Sequence, residues 1–376
     1  MSEVLPAGLT ARDEAANESY YLASQWQLIR RKFARHKLAK AGLVVLAVLY
    51  FVSIFAEFFA TQDIAKRDTD NIYAPPQRIR FVSEQGFSPR PFVYPLRLEM
   101  DREKFRKVYH LETSQPSYLR LFVRGDEYRL WNLFRSDLHL FGVEHGTLYL
   151  LGTDKFGRDM FSRVLYAART SLSIGLIGVA MTFVIGCSLG GISGFFGGRS
   201  DMAVQRLIEF MQSIPTIPLW MALSAAMPRN WSPLQIYFAI TIILSIVSWG
   251  GLARVVRGKL LQLRAEDFVM AAAIAGTGPG ATIARHLLPS FMSYLIVNLT
   301  LAVPNMILGE TALSFLGLGL RPPVVSWGVL LKEAQNVRTV ALHPWLLVPG
   351  LWVIVTVLAF NFVGDGLRDA ADPYKQ

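Results

Sequence analysis

The sequence predicts an all-α polytopic membrane protein. It would have six transmembrane helices, both termini in the cytoplasm, and a small α/β or β extracytoplasmic insert between spans 1 and 2. Three observations carry this. The 376 residues are 52% hydrophobic, with a mean hydropathy of +0.33. Soluble chains of this length rarely average so apolar, and here the apolar residues gather into runs long enough to cross a bilayer. The formal charge is +10, and much of it flanks those runs, where anionic headgroups are the natural counter-charge. Membrane lipid, not nucleic acid, is therefore the implied partner. One polar stretch, residues 61–150, separates the first apolar run from the rest. The single cysteine, Cys187, lies inside an apolar run, which excludes a disulfide framework and a cysteine metal site.

In chain order, residues 1 to about 25 read as disordered, within a cytoplasmic N-terminal segment 1–40. No cleavable signal peptide is expected, because the first residues are polar and carry several carboxylates. Arg30, Arg31, Lys32, Arg35, Lys37 and Lys40 crowd before the run 41–60. About twenty helical residues cover about 30 Å, so this is span 1, an uncleaved anchor with its basic side inward. Glu57 reads as an interfacial carboxylate at its outer end.

The insert, 61–150, is broken early by Pro75, Pro76, Pro89 and Pro91. Alternating apolar residues from Tyr118 to Phe134 around Gly125-Asp126 signal a hairpin turning there. Its aromatics Tyr128, Trp131 and Phe134 suit either a ligand-facing surface or, as we expect, the lobe's own small core.

The main apolar part of the chain follows over 151–376. Asp159 to Arg169 forms an amphipathic helix with Phe161, Val164, Leu165 and Ala168 on one side, suited to the outer interface. Asp154, Arg158 and Asp159 invite a catalytic reading, but ion pairs and caps are the commoner use of such residues. Span 2, about 171–195, carries Gly186, Gly190 and Gly194, a small-residue stripe for close helix packing. A turn with Arg199 leads to span 3, about 207–227, kinked by Pro215 and Pro218. Pro228, Arg229 and Pro233 lie in the loop before span 4, about 234–256. Arg254, Arg257, Lys259 and Arg264 place the next loop, 258–289, in the cytoplasm. Span 5, about 290–312, contains Pro304 and ends near Glu310. A carboxylate at the bilayer centre costs about 2.5–3.5 kcal/mol or more, so Glu310 should face protein or a water-filled path. Span 6 is about 345–363.

The loop itself contains DFVMAAAIAGTGPGATIARHLLP, Asp267 to Pro289. An Ala-rich helix to Ala275 is ended by Gly276, and Gly278, Pro279 and Gly280 turn the chain. A second short helix runs from about Ala281 to Leu287. This gives two short helices at an angle, with a mostly Ala and Gly surface that a partner's backbone can approach.

These residues carry a resemblance. Ala271, Ala272, Gly276, Arg285, His286, Leu287, Leu288 and Pro289 resemble the coupling loop of binding-protein-dependent ABC importer permeases, in the form used by the dipeptide/oligopeptide branch. Met270 stands where that family has its glutamate. Gly152, Thr153, Asp154, Gly157, Arg158, Asp159, Ser162 and Arg163, continuing to Tyr166, Arg169, Ser171 and Leu172, resemble the motif before the branch's second span. Gly309 to Gly328, including Glu310, and the tail Gly364 to Pro373 are similar to two further blocks in the same order. The insert is outside the resemblance. It implies the second permease of an importer for oligopeptides or a related solute such as oligosaccharides, in the bacterial inner membrane. Its implied partners are a homologous permease, two cytoplasmic ATP-binding subunits and an extracytoplasmic solute-binding protein. Asp267–Pro289 would be the ATPase-coupling element, and Gly186, Gly190, Gly194, Pro215, Pro218 and Glu310 would serve the pathway and its packing.

There is no Walker-type loop, no HExxH or Cys/His cluster and no nucleophile elbow, so no catalytic site, cofactor or metal is expected in this chain. Two other classes stay open. A secondary transporter or channel would need no ATPase. An integral-membrane enzyme would use Asp154 to Asp159.

Overall fold

The computed structural model describes residues 25–83, 86–101, 106–228 and 230–372. The expected disorder of the first residues, Arg229 and Pro373 lie outside that range. A short helix α1, Gln25–Arg35, precedes α2, Lys37–Ile54, whose N-terminus is capped by His36 Nδ1 accepting from the Ala39 amide at 3.1 Å. The helix starts before the expected Ala41 and stops at Phe55, and α3, Ala56–Phe59, completes the turn. Glu57 does not reach headgroups. It is buried, and Arg169 grips it with two hydrogen bonds of 2.7 and 2.5 Å.

Residues 80–143 hold β1, Arg80–Ser83; β2, Gly86–Val93; β3, Leu96–Asp101; β4, Arg106–Leu111; β5, Ser117–Leu130; and β6, Phe134–Val143. All pairings are antiparallel, in one sheet of order β1-β2-β5-β6 and a separate β3-β4 ribbon. The hairpin does not turn at Gly125-Asp126. Strand β5 runs through that pair, with a register shift between Arg124 and Tyr128, and the chain reverses after Leu130. Trp131 and Asn132 take positive φ there, 51° and 64°. Gly125 is instead a place of close approach, where a Cβ would lie 2.8 Å from the His139 ring. Trp131 and Phe134 do not form a core for the lobe; both are exposed and Tyr128 is half-buried, and the large buried apolar side chains are Phe92, Val93, Tyr94, Leu148 and Tyr149.

The helical body comprises α4, Met160–Phe196; α5, Gly198–Ser213; α6, Thr216–Ala225; α7, Pro233–Leu263; α8, Asp267–Ile274; α9, Met292–Phe315; α10, Trp327–Lys332; α11, Val337–Leu342; and α12, Val348–Ala371. Among the described residues, five helices are long and apolar enough to cross a membrane: Lys37–Ile54, Met160–Phe196, Pro233–Leu263, Met292–Phe315 and Pro344–Ala371. The expected third span is not one continuous helix. Pro215 has no N–H and forces the residue before it out of helix, so Ile214 is extended (φ −95°, ψ 128°) between α5 and α6. The ten residues of α6 reach about 15 Å, half a hydrocarbon core.

Helix α4 is the axis of the body. One end packs beside α3 near the sheet; the other reaches the end of α7, where Arg264 approaches Gly197. Its glycine stripe meets α7 at backbone distance. A Cβ on Gly190 would lie 2.5 Å from the Ala253 carbonyl, and one on Gly194 would lie 2.8 Å from that of Arg257. The main core joins α2, α4, α7, α9, α10 and α12 through Leu46, Leu172, Leu244, Ile307, Trp327 and Phe360.

A side chain on this seam must separate two backbones, and overpacking of this kind costs about 1–3 kcal/mol. Gly190→Val is expected to lower the melting temperature of the detergent-solubilised protein. Gly251→Ala, at a glycine of α7 with open space around its Cβ position, is expected to leave it unchanged or raise it slightly.

Candidate functional site

The candidate coupling element begins where α7 ends. Glu266 and Asp267 lead into α8, and the acidic Asp267 in its first turn complements the helix dipole. The helix ends by a Schellman arrangement. The Gly276 amide donates to the Ala273 carbonyl and the Thr277 amide to that of Ala272, both at 3.0 Å, with Gly276 at φ 80°. Gly278 and Pro279 then start a second helical stretch earlier than the expected Ala281. It runs through Pro279–Ala281, a π-helical stretch Thr282–Leu287 and Leu288–Ser290. Thr282 Oγ1 donates to the Gly278 carbonyl at 3.1 Å, tying the turn to this helix.

The two faces of the element differ. Val269, Ala272, Thr282 and Leu287 are buried. Val269 and Leu287 join Cys187 of α4, Val256 and Leu260 of α7, and Leu295 of α9 in one apolar cluster. Outward, Asp267, Ala271, Gly276, Arg285, His286 and Pro289 are exposed, and Leu288 is half-buried. Met270 is 50% and Ile274 89% exposed, and Phe268 is exposed as well. The outer surface is thus more apolar than a mere Ala and Gly surface. Sequence reading passed over Phe268 and Ile274; by helical spacing Ile274 falls with Met270 opposite the Val269/Ala272 face, whereas Phe268 flanks that face. Beside the element, Asp201 of α5 clamps Arg257 of α7 with two hydrogen bonds of 2.5 and 2.7 Å. The Arg257 guanidinium holds the Asp201 carboxyl below the usual carboxylate range. The clamp is therefore intact at neutral pH and is lost only as pH falls through that lowered value.

The outer-interface motif converges into one buried knot at the sheet end. Asp154 is fully buried. Its Oδ2 accepts from Arg158 Nε and from Arg163, each at 2.7 Å. Its Oδ1 accepts from the Phe156 and Arg158 amides at 2.8 and 3.0 Å. Glu333 closes on Arg158 at 3.3 Å, and burial together with the charge of Asp154 pushes the Glu333 carboxyl up. Asp159 caps α4, accepting from the Ser162 amide at 2.8 Å, Ser162 Oγ at 2.6 Å and Thr61 Oγ1 at 3.0 Å. Thr153 accepts from the Ala74 amide, and its carbonyl accepts from Trp345 Nε1, against which Gly152 also packs. Gly157 (φ 73°) leaves no room for a Cβ, which would fall 1.7 Å from the Asp68 carbonyl oxygen. Every carboxylate oxygen of Asp154 and Asp159 thus faces donors within the protein, which is how a structural knot is built. Glu333, Asp68 and Trp345 carry no local sequence signal for this role.

The pathway and packing set does not converge. Gly186, Gly190 and Gly194 line the α4–α7 seam, and Pro215 and Pro218 sit at the α5–α6 break. Glu310 is fully buried in α9 and faces protein. Ser314 and Ser326 donate to its Oε1 at 2.7 and 2.6 Å, and Ser171 of α4 to its Oε2 at 3.1 Å. Trp220 of α6 approaches the neighbouring Gly309.

Several helices long and apolar enough to cross a bilayer, among the described residues, mark a multi-pass membrane protein. The chain belongs to the family described as binding-protein-dependent transport system inner membrane component, which matches residues 155–375. A second family, the N-terminal TM domain of oligopeptide transport permease C, matches residues 24–76. The oligopeptide transport system permease protein OppC of Haemophilus influenzae is 31% identical over 93% of this chain and 89% of its own length. Its Bacillus subtilis counterpart is 29% identical over 98% and 95%. The dipeptide transport system permease protein DppC of Bacillus subtilis is 38% identical over 59% of this chain and 68% of its own. The protein is accordingly a multi-pass bacterial inner-membrane permease of the ABC-transporter kind.

Removing one partner of a buried ion pair costs about 3–5 kcal/mol, because the other charge is left uncompensated. Asp154→Asn is expected to cost this much and sharply reduce the monodisperse fraction on size-exclusion chromatography. Adding Arg163→Met is expected to recover most of the loss.

Proposed function

We propose that this chain is one of two permease subunits of an ATP-driven importer for oligopeptides or a related solute such as oligosaccharides. The observation that carries the reading is the two-faced coupling element. Its apolar outer ridge of Met270 and Ile274, with the exposed Phe268 at its flank, suits a cleft in another protein. Its inner face is rooted in a cluster shared by α4, α7 and α9. Closure of an ATPase pair would push the element, and that cluster would carry the push into the pathway helices. The family match and the names of the relatives support the same reading.

In this arrangement α5 and α6 complete a sixth crossing. Both termini and the coupling element face the cytoplasm, where the ATP-binding subunits are. The sheet lies outside, over the mouth of the pathway, and meets a solute-binding protein. The basic residues around α1 and after α7 favour that orientation. Met270 in place of the family's glutamate makes the docking apolar at that point, so it should depend little on salt.

Affinity purification of the tagged chain from its native host in mild detergent tests this. A second permease and two ATPase chains are expected to come with it. Ile274→Glu, which puts a charge on an exposed ridge, is expected to reduce ATPase retention at least about tenfold while the second permease stays, as loss of an interface hot spot would. Full ATPase retention by Ile274→Glu would remove the coupling role. A wild-type chain that purifies alone in several detergents would return the ATPase-independent carrier.

A further inference from the structure

The β5–β6 hairpin leaves its tip uncovered. Leu133 is 74% and Phe134 63% exposed, with Trp131 beside them. Large apolar side chains grouped at the end of a hairpin mark a contact surface, and two independent observations say what the contact is.

The first is depth. Trp131 Nε1 donates to the Ile54 carbonyl at 2.8 Å, and its ring centroid lies 5.4 Å from that of Phe55. Ile54 is the last residue of the membrane-spanning α2. The tip therefore stands level with the point where this span leaves the hydrocarbon. That is the layer in which tryptophan collects at bilayer surfaces, with its ring in the apolar boundary and its N–H satisfied.

The second is charge. Arg129 and Arg135, just behind the tip, face each other in direct cross-strand register. Both are exposed, and among the described residues neither makes an ion pair. Like charges so placed destabilise a sheet unless an anion lies between or beside them. Farther from the tip the same two strands supply their own carboxylates: Arg124 approaches Asp137 at 3.9 Å, and Arg120 pairs with Glu144. Nearer the tip no carboxylate pairs with Arg129 or Arg135: Glu127, two residues before Arg129, is exposed and makes no ion pair among the described residues.

We propose that this tip is a membrane anchor for the sheet. Leu133 and Phe134 enter the acyl region of the adjacent leaflet, Trp131 sits at the headgroup boundary, and Arg129 and Arg135 bind lipid phosphates with their aliphatic stems lying along the apolar layer. The sheet is thereby held at a fixed height and tilt over the helix bundle. The inference rests on α2 crossing the membrane and is independent of the coupling reading.

The test uses the full-length chain, with whatever subunits it retains, in nanodiscs of phosphatidylethanolamine and phosphatidylglycerol. Cys187, which is buried, is replaced by alanine, and Leu133→Cys carries a nitroxide. Collision with oxygen and with a water-soluble nickel chelate is read by electron paramagnetic resonance. Lipids labelled at the headgroup and along the acyl chain calibrate the scale. The expected result is a label that favours oxygen over nickel and reports a depth below the phosphates. In Arg129→Gln/Arg135→Gln the label is expected to move outward. A label that favours nickel places the tip in water and overturns the proposal. Protection from both reagents means that another subunit covers the tip, which overturns it equally. An unchanged depth in the double variant overturns the phosphate contacts.

Discussion

Asp154 accepts hydrogen bonds from two guanidinium groups and two backbone amides while fully buried. Moving an isolated carboxylate into such a place carries an idealised cost of order 20 kcal/mol, so the fold around it is shaped by the need to surround it with donors. The loop 154–158 curls so that its own amides point at Oδ1. The first turn of α4 turns Arg163 back toward Oδ2. Glu333, from the segment after α10, then shares Arg158. Two parts of the chain far apart in sequence, the stretch 154–163 and Glu333, are thereby fixed to one another.

The same knot sets the position of α4, which carries the consequence through the membrane. Its N-terminus is held by the Asp159 cap and by Arg163, and Arg169 locks it to Glu57 of α3. About 40–50 Å along it, at 1.5 Å of rise per residue, it meets α7 at Gly186–Gly194 and shares an apolar cluster with the candidate coupling element. Asp201, on the helix that follows, clamps Arg257 of α7 beside that seam. One helix thus touches the sheet-bearing end, the buried Glu310 through Ser171, and the protruding element.

Much of this was legible in the sequence, for physical reasons that differ by element. Apolar runs and flanking basic residues locate the long helices because the bilayer admits few other solutions. Gly276 marks the end of α8 because a left-handed position selects glycine. Asp159 reads as a cap from its place before an apolar periodic stretch. Features that depend on distant partners were not legible. Glu333 and Asp68 join the knot across long sequence separations, and Glu57, which reads as an interfacial carboxylate, is held by Arg169, 112 residues away. Two local signals misled. Gly125-Asp126 has the composition of a hairpin turn, but that glycine is needed to pass His139, and the turn falls at Trp131-Asn132. Pro215 reads as a kink within one span, whereas the extended residue before it divides the segment into two helices.

That division bears on how such a body can move. Helix α4 has no proline, is capped and paired at one end, and is packed backbone to backbone at the other. A helix held in this way transmits a displacement instead of absorbing it. The places able to absorb one are the α5–α6 break at Ile214-Pro215 and the proline inside α9, Pro304, where backbone hydrogen bonds are already missing. Both adjoin the surroundings of Glu310, where Trp220 of α6 packs on Gly309 of α9. Under the importer reading, a push on the coupling element passes rigidly along α4 and α7, and the bending falls on α6 and α9. The pathway is then reshaped between two proline-weakened helices while the knot that carries the sheet stays intact.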